Sequence, residues 1–490
     1  MTISFATMAS IRFGYGRRPG ESPPGNVDAM LAGVERGSRE TCSFPHEGVV
    51  GRRARFPAYR DLRIAYDDAR AKNIVKMVGE RTVNPYAVAV ANALQRDRHL
   101  KVRQAALSPH GFFERLVAFW CDHFTVDIRK GPALRLLAGL YETEAIRPNL
   151  AGRFSDLLRA AALHPAMLNY LDQTRSFGPK SVSGLKLRRG LNENLARELL
   201  ELHTMGAGSG YAQQDVRGAA LVLTGLSFRS QAFETLFRAQ MAEPGTHEVL
   251  GRTYGGKKPG IDQIHTLIDD LAGREETRRH ICRKLVVHFI ADDPPQAVVD
   301  AMAEAWKRHD GQLLAVYRAM LEHPQSWEEE GQKARQPFDF VVAALRAVNA
   351  SDDAFEPRKL ARKTDWRLAA ETGALQDVLM ITAEGKPAFG ANPFSSGALD
   401  RLGQPIWSAP SPAGWEEGLA AWVTASQITE RIAWARRLVA RFGGDADPRA
   451  FLEATMADAA RADTIETVSR APNREVALAM VLASPEFNRR

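Results

Sequence analysis

Residues 190–206, Gly190-Leu191-Asn192-Glu193-Asn194-Leu195-Ala196-Arg197-Glu198-Leu199-Leu200-Glu201-Leu202-His203-Thr204-Met205-Gly206, set carboxylates, amides and a histidine against an apolar stripe more densely than any other stretch of the chain. At about 100° per residue, Leu195, Leu199, Leu202 and His203 fall on one side of a helix, the side that faces a core. Asn194, Glu198, Glu201 and Met205 share a neighbouring face. Glu193, Arg197, Leu200 and Thr204 make a third, where Glu193 and Arg197 pair at i,i+4. Asn192 is placed to cap the helix, Glu193 to meet the positive end of its dipole, and Gly206 to close it. The pattern predicts a helix over 192–205. The link Gly206-Ala207-Gly208-Ser209-Gly210 then reverses the chain into a second helix from Gln213 to Leu226, making a helical hairpin. Because the glycines follow a helix and not a strand, they are not a dinucleotide fingerprint.

Asn194, Glu198 and Glu201 can present oxygens to a cation or a polar ligand, since side chains three apart on a helix converge. A solvated face with an ordinary cap uses the same residues, and a bare Glu-x-x-Glu is more often that. His203, on the apolar side, reads as a hydrogen-bonded core histidine sooner than as a ligand.

At 490 residues the chain exceeds what one hydrophobic core fills, which points to two sub-domains or one elongated helical body. Its 45% hydrophobic and 25% charged residues are those of an ordinary globular protein. The 65 basic and 58 acidic residues are interspersed, so the net charge of +7 marks no nucleic-acid stripe. Cys42, Cys121 and Cys282 lie far apart without a Cys-x-x-Cys, which speaks against a disulfide framework or a structural zinc site. Residues 1–20 lack the apolar core of a signal peptide and no run is long enough to span a membrane, so the cytoplasm is the expected compartment.

Working outward, residues 11–25 are turn-rich and predict an N-terminal arm lying on the body; no strand precedes their glycines and no Gly-Lys-Ser/Thr follows, so they are not a phosphate loop. From Val27 to about Ile128 the pattern is helical, broken at Asn84-Pro85 and at Ser108-Pro109-His110-Gly111. The apolar run Val117 to Phe124 encloses Asp122 and His123, polar groups at or near a buried surface that need partners. His123 suits a metal ligand or a base, or else a buried hydrogen bond. His164-Pro165 marks a helix start, Asp172 ends that helix, and 173–189 form a basic, Gly/Ser-rich loop leading into the 192–205 helix.

Beyond the hairpin, 227–250 predict a short hairpin of strands, and His247-Glu248 there either joins the site or is surface polarity. Amphipathic helices follow at 264–271, 278–290, 297–308 and 312–321. Arg278, Arg279, Arg283 and Lys284 read as a solvated basic face. A helix over 337–348 and a polar stretch to Arg367 begin the last region. Residues 384–415 interleave Phe389, Phe394, Trp407 and Trp415 with Gly, Pro and Ser, a composition that predicts a packed cover over the body or a functional lid.

Asn192-Glu193-Asn194, Ala196 to Gly206, Tyr211, Gln213, Asp215-Val216 and Leu223-Thr224-Gly225 together resemble the signature of the bacterial DUF 1800 family, a domain of unknown function. The resemblance extends to Arg12-Phe13-Gly14, the Phe119-Trp120 to Phe124 segment, His164-Pro165-Ala166-Met167-Leu168, Tyr170-Leu171-Asp172, His247-Glu248, Leu402 to Pro405, Pro410 to Trp415 and Leu482 to Phe487. Two positions depart from the family pattern. Ala212 replaces a Thr that would cap the next helix with Asp215, and Glu248 replaces the Asp that often follows the histidine. The resemblance implies a mostly helical protein with no agreed activity. It also implies a sulfatase-like companion family, DUF 1501, which is commonly exported, as a possible protein partner; this makes the periplasm the second compartment.

The sequence therefore predicts an all-α protein: a main helical body over 1–332 carrying the signature, and a C-terminal helical region over 333–490 with a Gly/Pro/aromatic loop. The expected site is Glu193, Glu198 and His203 for catalysis, with Glu198, Glu201, His123, Asp172 and His247 as ligands of a possible divalent metal. Those residue types favour metal-assisted hydrolysis. The alternative is a non-catalytic assembly or scaffold protein that partners the sulfatase-like companion, its polar network fixing the hairpin. Nucleic acid is not expected as a partner.

Overall fold

The computed structural model describes residues 3–75, 77–78, 81–229, 231–256, 258–328, 333–360, 366–367 and 373–490. Helix dominates, at 60% against 7% strand, with twenty-two α-helices among the described residues. Helices break where local chemistry breaks them. Asn84 Oδ1 accepts from the Ala87 N–H at 3.1 Å and Pro85 takes the first helical position, opening Pro85–Leu107. His164 caps Pro165–Tyr170 by accepting from the Ala166 N–H at 3.1 Å. Strand is confined to five two-stranded antiparallel ladders among the described residues. Two of them follow the signature where one hairpin is expected: Leu226–Arg229 with Glu234–Phe237, and Gly245–Val249 with Arg252–Gly256.

Two large apolar clusters organise the interior. The larger surrounds Trp120, whose Nε1 donates to the Tyr317 hydroxyl at 2.8 Å. The second is built on Phe340, Leu345, Leu438, Leu482 and Phe487, and it takes in Tyr15, Val102 and Ala105 from the N-terminal side. Leu375, Val378, Leu379 and Ile381 go the other way and join the larger cluster. The division expected between 332 and 333 falls beside 329–332, outside the described residues, as does the 361–365 part of the polar stretch expected to reach Arg367.

Residues 11–25 lie along the body. Arg12 donates to the Ser326 and Glu328 carbonyls at 2.7 and 2.9 Å, and Arg346 reaches Glu21 at 2.7 Å. The 384–415 stretch is packed in part: Phe389 and Trp407 touch Arg96 and Lys101 of Pro85–Leu107, and the Trp407 carbonyl accepts from the Ile128 N–H at 3.0 Å. Among the described residues no helix is long and apolar enough to cross a membrane.

Candidate acid–base site

The signature helix runs from Asn194 to Glu201, shorter than the 192–205 the periodicity predicts. Glu193, not the expected Asn192, takes the cap position and makes no side-chain cap bond; Asn192, one residue earlier, accepts the Asn194 N–H on its Oδ1 at 2.9 Å. Past Glu201 the winding widens: the His203 N–H goes to the Glu198 carbonyl and the Met205 N–H to the Leu200 carbonyl, each at 2.9 Å and five residues back. Thr204 Oγ1 takes the Leu199 carbonyl at 2.6 Å, which would otherwise lack a donor. This widening turns Thr204 and Met205 inward, and Leu200 is fully buried as well. The buried face is therefore broader than a regular helical wheel gives.

The hairpin uses two of its carboxylates on itself. Glu193 accepts from Gln213 at 2.8 Å and from Arg197 at 3.5 Å, and Glu201 accepts from the Tyr211 hydroxyl at 3.0 Å. Burial, then the neighbouring Glu201, raise the half-buried Glu198 carboxyl above its ordinary range. Asp172, in a left-handed conformation with φ 57°, pairs with Lys130 at 2.6 Å. His247 lies on Gly245–Val249, where strand alternation sends Glu248 to the opposite, exposed face. Ala212 cannot supply its half of the capping box, but Asp215 keeps the reciprocal half, accepting from the Ala212 N–H at 2.8 Å and from the Leu250 N–H at 2.7 Å.

Among the described residues, three ligand atoms of the metal-binding kind come within 4.8 Å of one another only at His46, Glu47 and Asp97. Glu198, Glu201, His123, Asp172 and His247 are not gathered in threes. The His46 group is already filled by cations. Arg52 meets Glu47 at 2.6 Å and Asp97 at 2.7 Å, and Arg55 meets Asp377 at 3.1 Å. Burial disfavours charge on His46, but the hydrogen bonds it donates to Asp377, Asp97 and Glu47 prevail and raise it to about 10. This set is an ion-pair network.

His123 is fully engaged. Its Nδ1 accepts from Lys284 Nζ at 3.1 Å, and its Nε2 donates to the His203 carbonyl at 3.3 Å. Lys284 thus departs from the solvated basic face expected for it, while Arg279 and Arg283 are exposed. The helix Glu275–Phe289 buries Ile281, Cys282, Leu285, Val286 and Phe289. His280, Lys284 and His288, four residues apart, form a ridge beside that apolar stripe. Gly206, at φ +90°, packs against the ridge so closely that a Cβ would stand 2.7 Å from His280 Nδ1. Burial and the Lys284 charge lower His203 to about 3 and His280 to about 4. Burial also pulls Lys284 below its ordinary range, against Asp122 and Glu417, which favour its charge.

Asp122 sits at the last turn of Gly111–His123 and faces the 404–417 segment across a cavity of about 90 Å³. Its carboxylate accepts the Trp415 N–H at 3.0 and 3.2 Å. Gly414, at φ +89°, makes the approach possible, since a Cβ there would lie 2.5 Å from Asp122 Oδ2. Burial and the Glu417 charge raise Asp122 to about 7, against the Trp415 N–H and Lys284, which pull it down. Glu417 goes the opposite way. Burial works to raise it, but His288, Lys333 and Arg115 hold it at about 2. Arg115 donates to His288 Nε2 at 3.1 Å, so the His288 proton sits on Nδ1 and is given to Glu417. On the far wall Glu142, buried, receives Lys101 and the Trp407 Nε1–H, and burial raises the Cys121 thiol well above its usual range.

Residues 10–489 match the family model described as a protein of unknown function, DUF1800. The chain belongs to the DUF1800 family. No curated protein and no solved structure matches it.

The match to DUF1800 spans both the hairpin and the Asp122 cavity, whereas the sequence reading centres on the hairpin and adds only His123, Asp172 and His247 from elsewhere. It places Asp122 near a buried surface without giving it a role, and it misses His280, Lys284, His288 and Glu417. A legible signal existed: His-x-x-x-Lys-x-x-x-His runs along one helix face beside an apolar stripe. The flanking Arg278, Arg279 and Arg283 mask it. Glu417 carries no local signal, because only the fold brings it to His288.

Proposed function

We propose that this DUF1800 chain is an acid–base hydrolase whose working carboxyl is Asp122. The observation that carries the reading is a pair of carboxyls beside one cavity pushed in opposite directions, Asp122 to about 7 and Glu417 to about 2. Such a split lets one group trade a proton near neutral pH while the other stays anionic. Protonated Asp122 gives its proton to the leaving atom of the substrate, and the resulting carboxylate takes one back from the attacking water. Lys284, which donates to His123 Nδ1 at 3.1 Å, carries a charge that favours the ionised form of Asp122. At roughly 30 Å³ per water the cavity holds about three waters, room for a small polar group.

Metal-assisted hydrolysis would require the five expected ligands to move together and His123 to give up one of its two hydrogen bonds; proton transfer at Asp122 requires neither. A second reading has its own support. Glu193 on Gln213 and Glu201 on Tyr211 hold the hairpin together, which favours architecture for the signature and an assembly protein with a sulfatase-like companion. A screen of ester, amide, phosphoester and sulfate-ester hydrolysis decides between them. Asp122→Asn is expected to lose roughly 100-fold or more in rate while its melting temperature stays at or above wild type. Activity that survives Asp122→Asn contradicts the reading, and so does a chain without activity whose Asp122→Asn variant melts well below wild type.

A further inference from the structure

The segment between the Asp172 turn and the signature helix carries an unpaired surface. Residues 173–192 contain five basic side chains, Arg175, Lys180, Lys186, Arg188 and Arg189, and no acidic one. Within it Val182–Leu187 is a short helix that exposes Val182 at 71%, Leu185 at 67% and Leu187 at 55%. Large apolar side chains this exposed are scattered elsewhere on the surface, but here three fall within six residues. Lys186, Arg188 and Arg189 stand exposed around them and make no ion pair among the described residues. Of the nearest carboxylates in sequence, Asp172 pairs with Lys130 and, at 3.8 Å, with Arg175, and Glu193 is taken by Gln213.

The knuckle is held rigidly. Ser181 caps its helix, accepting from the Gly184 N–H at 3.0 Å, and the Arg189 N–H returns to the Gly184 carbonyl at 3.1 Å. The Lys180 N–H donates to the buried Glu243 at 2.8 Å, and the Gly178 N–H to the Met241 carbonyl at 2.9 Å. Phe177, Ser176 and Gly178 are buried beneath it. A pinned base that holds three apolar side chains outward does not come from an unstructured loop.

We propose that this knuckle docks the protein on the surface of a bilayer containing anionic phospholipid. Apolar tips entering the headgroup boundary within a ring of Lys and Arg are the chemistry of interfacial binding, in which each cation near an anionic surface adds to the attraction. The size of the patch favours lipid over a protein partner. A stable protein interface covers roughly 800 Å² per side, and a convex knuckle of one and a half helical turns offers far less. The site is independent of Asp122.

The test is co-sedimentation of the full chain with vesicles of phosphatidylcholine alone and with about 30% phosphatidylglycerol, at low salt and at about 0.15 M salt. The anionic vesicles are expected to bind at least roughly ten-fold more protein, with binding weakened by salt. Leu185→Ser/Leu187→Ser and Lys186→Glu/Arg188→Glu are each expected to abolish that excess, with unchanged melting temperatures because the side chains are exposed. Absence of binding to anionic vesicles overturns the proposal and leaves an acidic protein as the surface's partner. Binding that survives both variants overturns it as well, since another face would then be responsible.

Discussion

The signature hairpin and the Asp122 cavity are both polar, and they differ in what their polar groups do. In the hairpin, carboxylates on a partly exposed face satisfy one another's neighbours, as Glu193 does with Gln213 and Glu201 with Tyr211. At the cavity, carboxyls are withdrawn from water, and the proton affinities of Asp122 and Glu417 are driven apart. Density of polar residues in sequence marks the first kind of region. The second is made by burial, which only the tertiary fold supplies.

Breaking the cavity should cost most. Glu417→Ala removes the acceptor of His288 and leaves the fully buried Lys333 ammonium with one carboxylate fewer. Unfolding in urea is expected to show a loss of about 3–5 kcal/mol, and a loss under about 1 kcal/mol would mean that the site is wetter than this account holds. Acid should act next. His203 is held to about 3 in the fold, so its contribution is complete above its ordinary 6.5 and drains away as pH falls toward 3. Between pH 6 and pH 4 that amounts to about 2–3 kcal/mol, at about 1.4 kcal/mol per unit. His203→Leu should flatten this part of the urea-midpoint profile, and parallel profiles would contradict it.

Where the two regions touch, Gly206→Ala places a methyl against His280 in a left-handed backbone, with an expected cost of about 2 kcal/mol by thermal unfolding. His280→Ala should relieve part of that cost. Within the hairpin the effects should be smallest: Glu193→Gln and Glu201→Gln are each expected to cost less than about 1 kcal/mol, since each keeps an acceptor oxygen at a partly exposed site. A loss of several kcal/mol from either would erase the contrast between the regions.

Helix content was readable because apolar spacing and caps are local. Asn84-Pro85 and His164-Pro165 start helices where the sequence says they start, and the family signature was recognisable residue by residue. The end of the signature helix was not readable, because the switch to five-residue hydrogen bonds after Glu201, which turns Thr204 and Met205 inward, leaves no mark in the apolar spacing. Among the site residues, the burial of His203 followed from the apolar side on which it lies. The opposite shifts of Asp122 and Glu417 could not be read, since these residues are nearly three hundred positions apart and meet only because Gly414 lets the 404–417 segment close on Asp122.

The most direct test is the titration of the Asp122 carboxyl itself, followed by carbon-13 NMR of aspartate-labelled protein with Asp122→Asn to assign the signal. A midpoint near 7 is expected. Because the group is raised, its protonated form favours the fold. Its stabilisation is therefore complete below about pH 4 and is lost as pH rises through about 7. A midpoint below about 5, close to an ordinary aspartate, would contradict the assignment of Asp122 as the proton-transferring group.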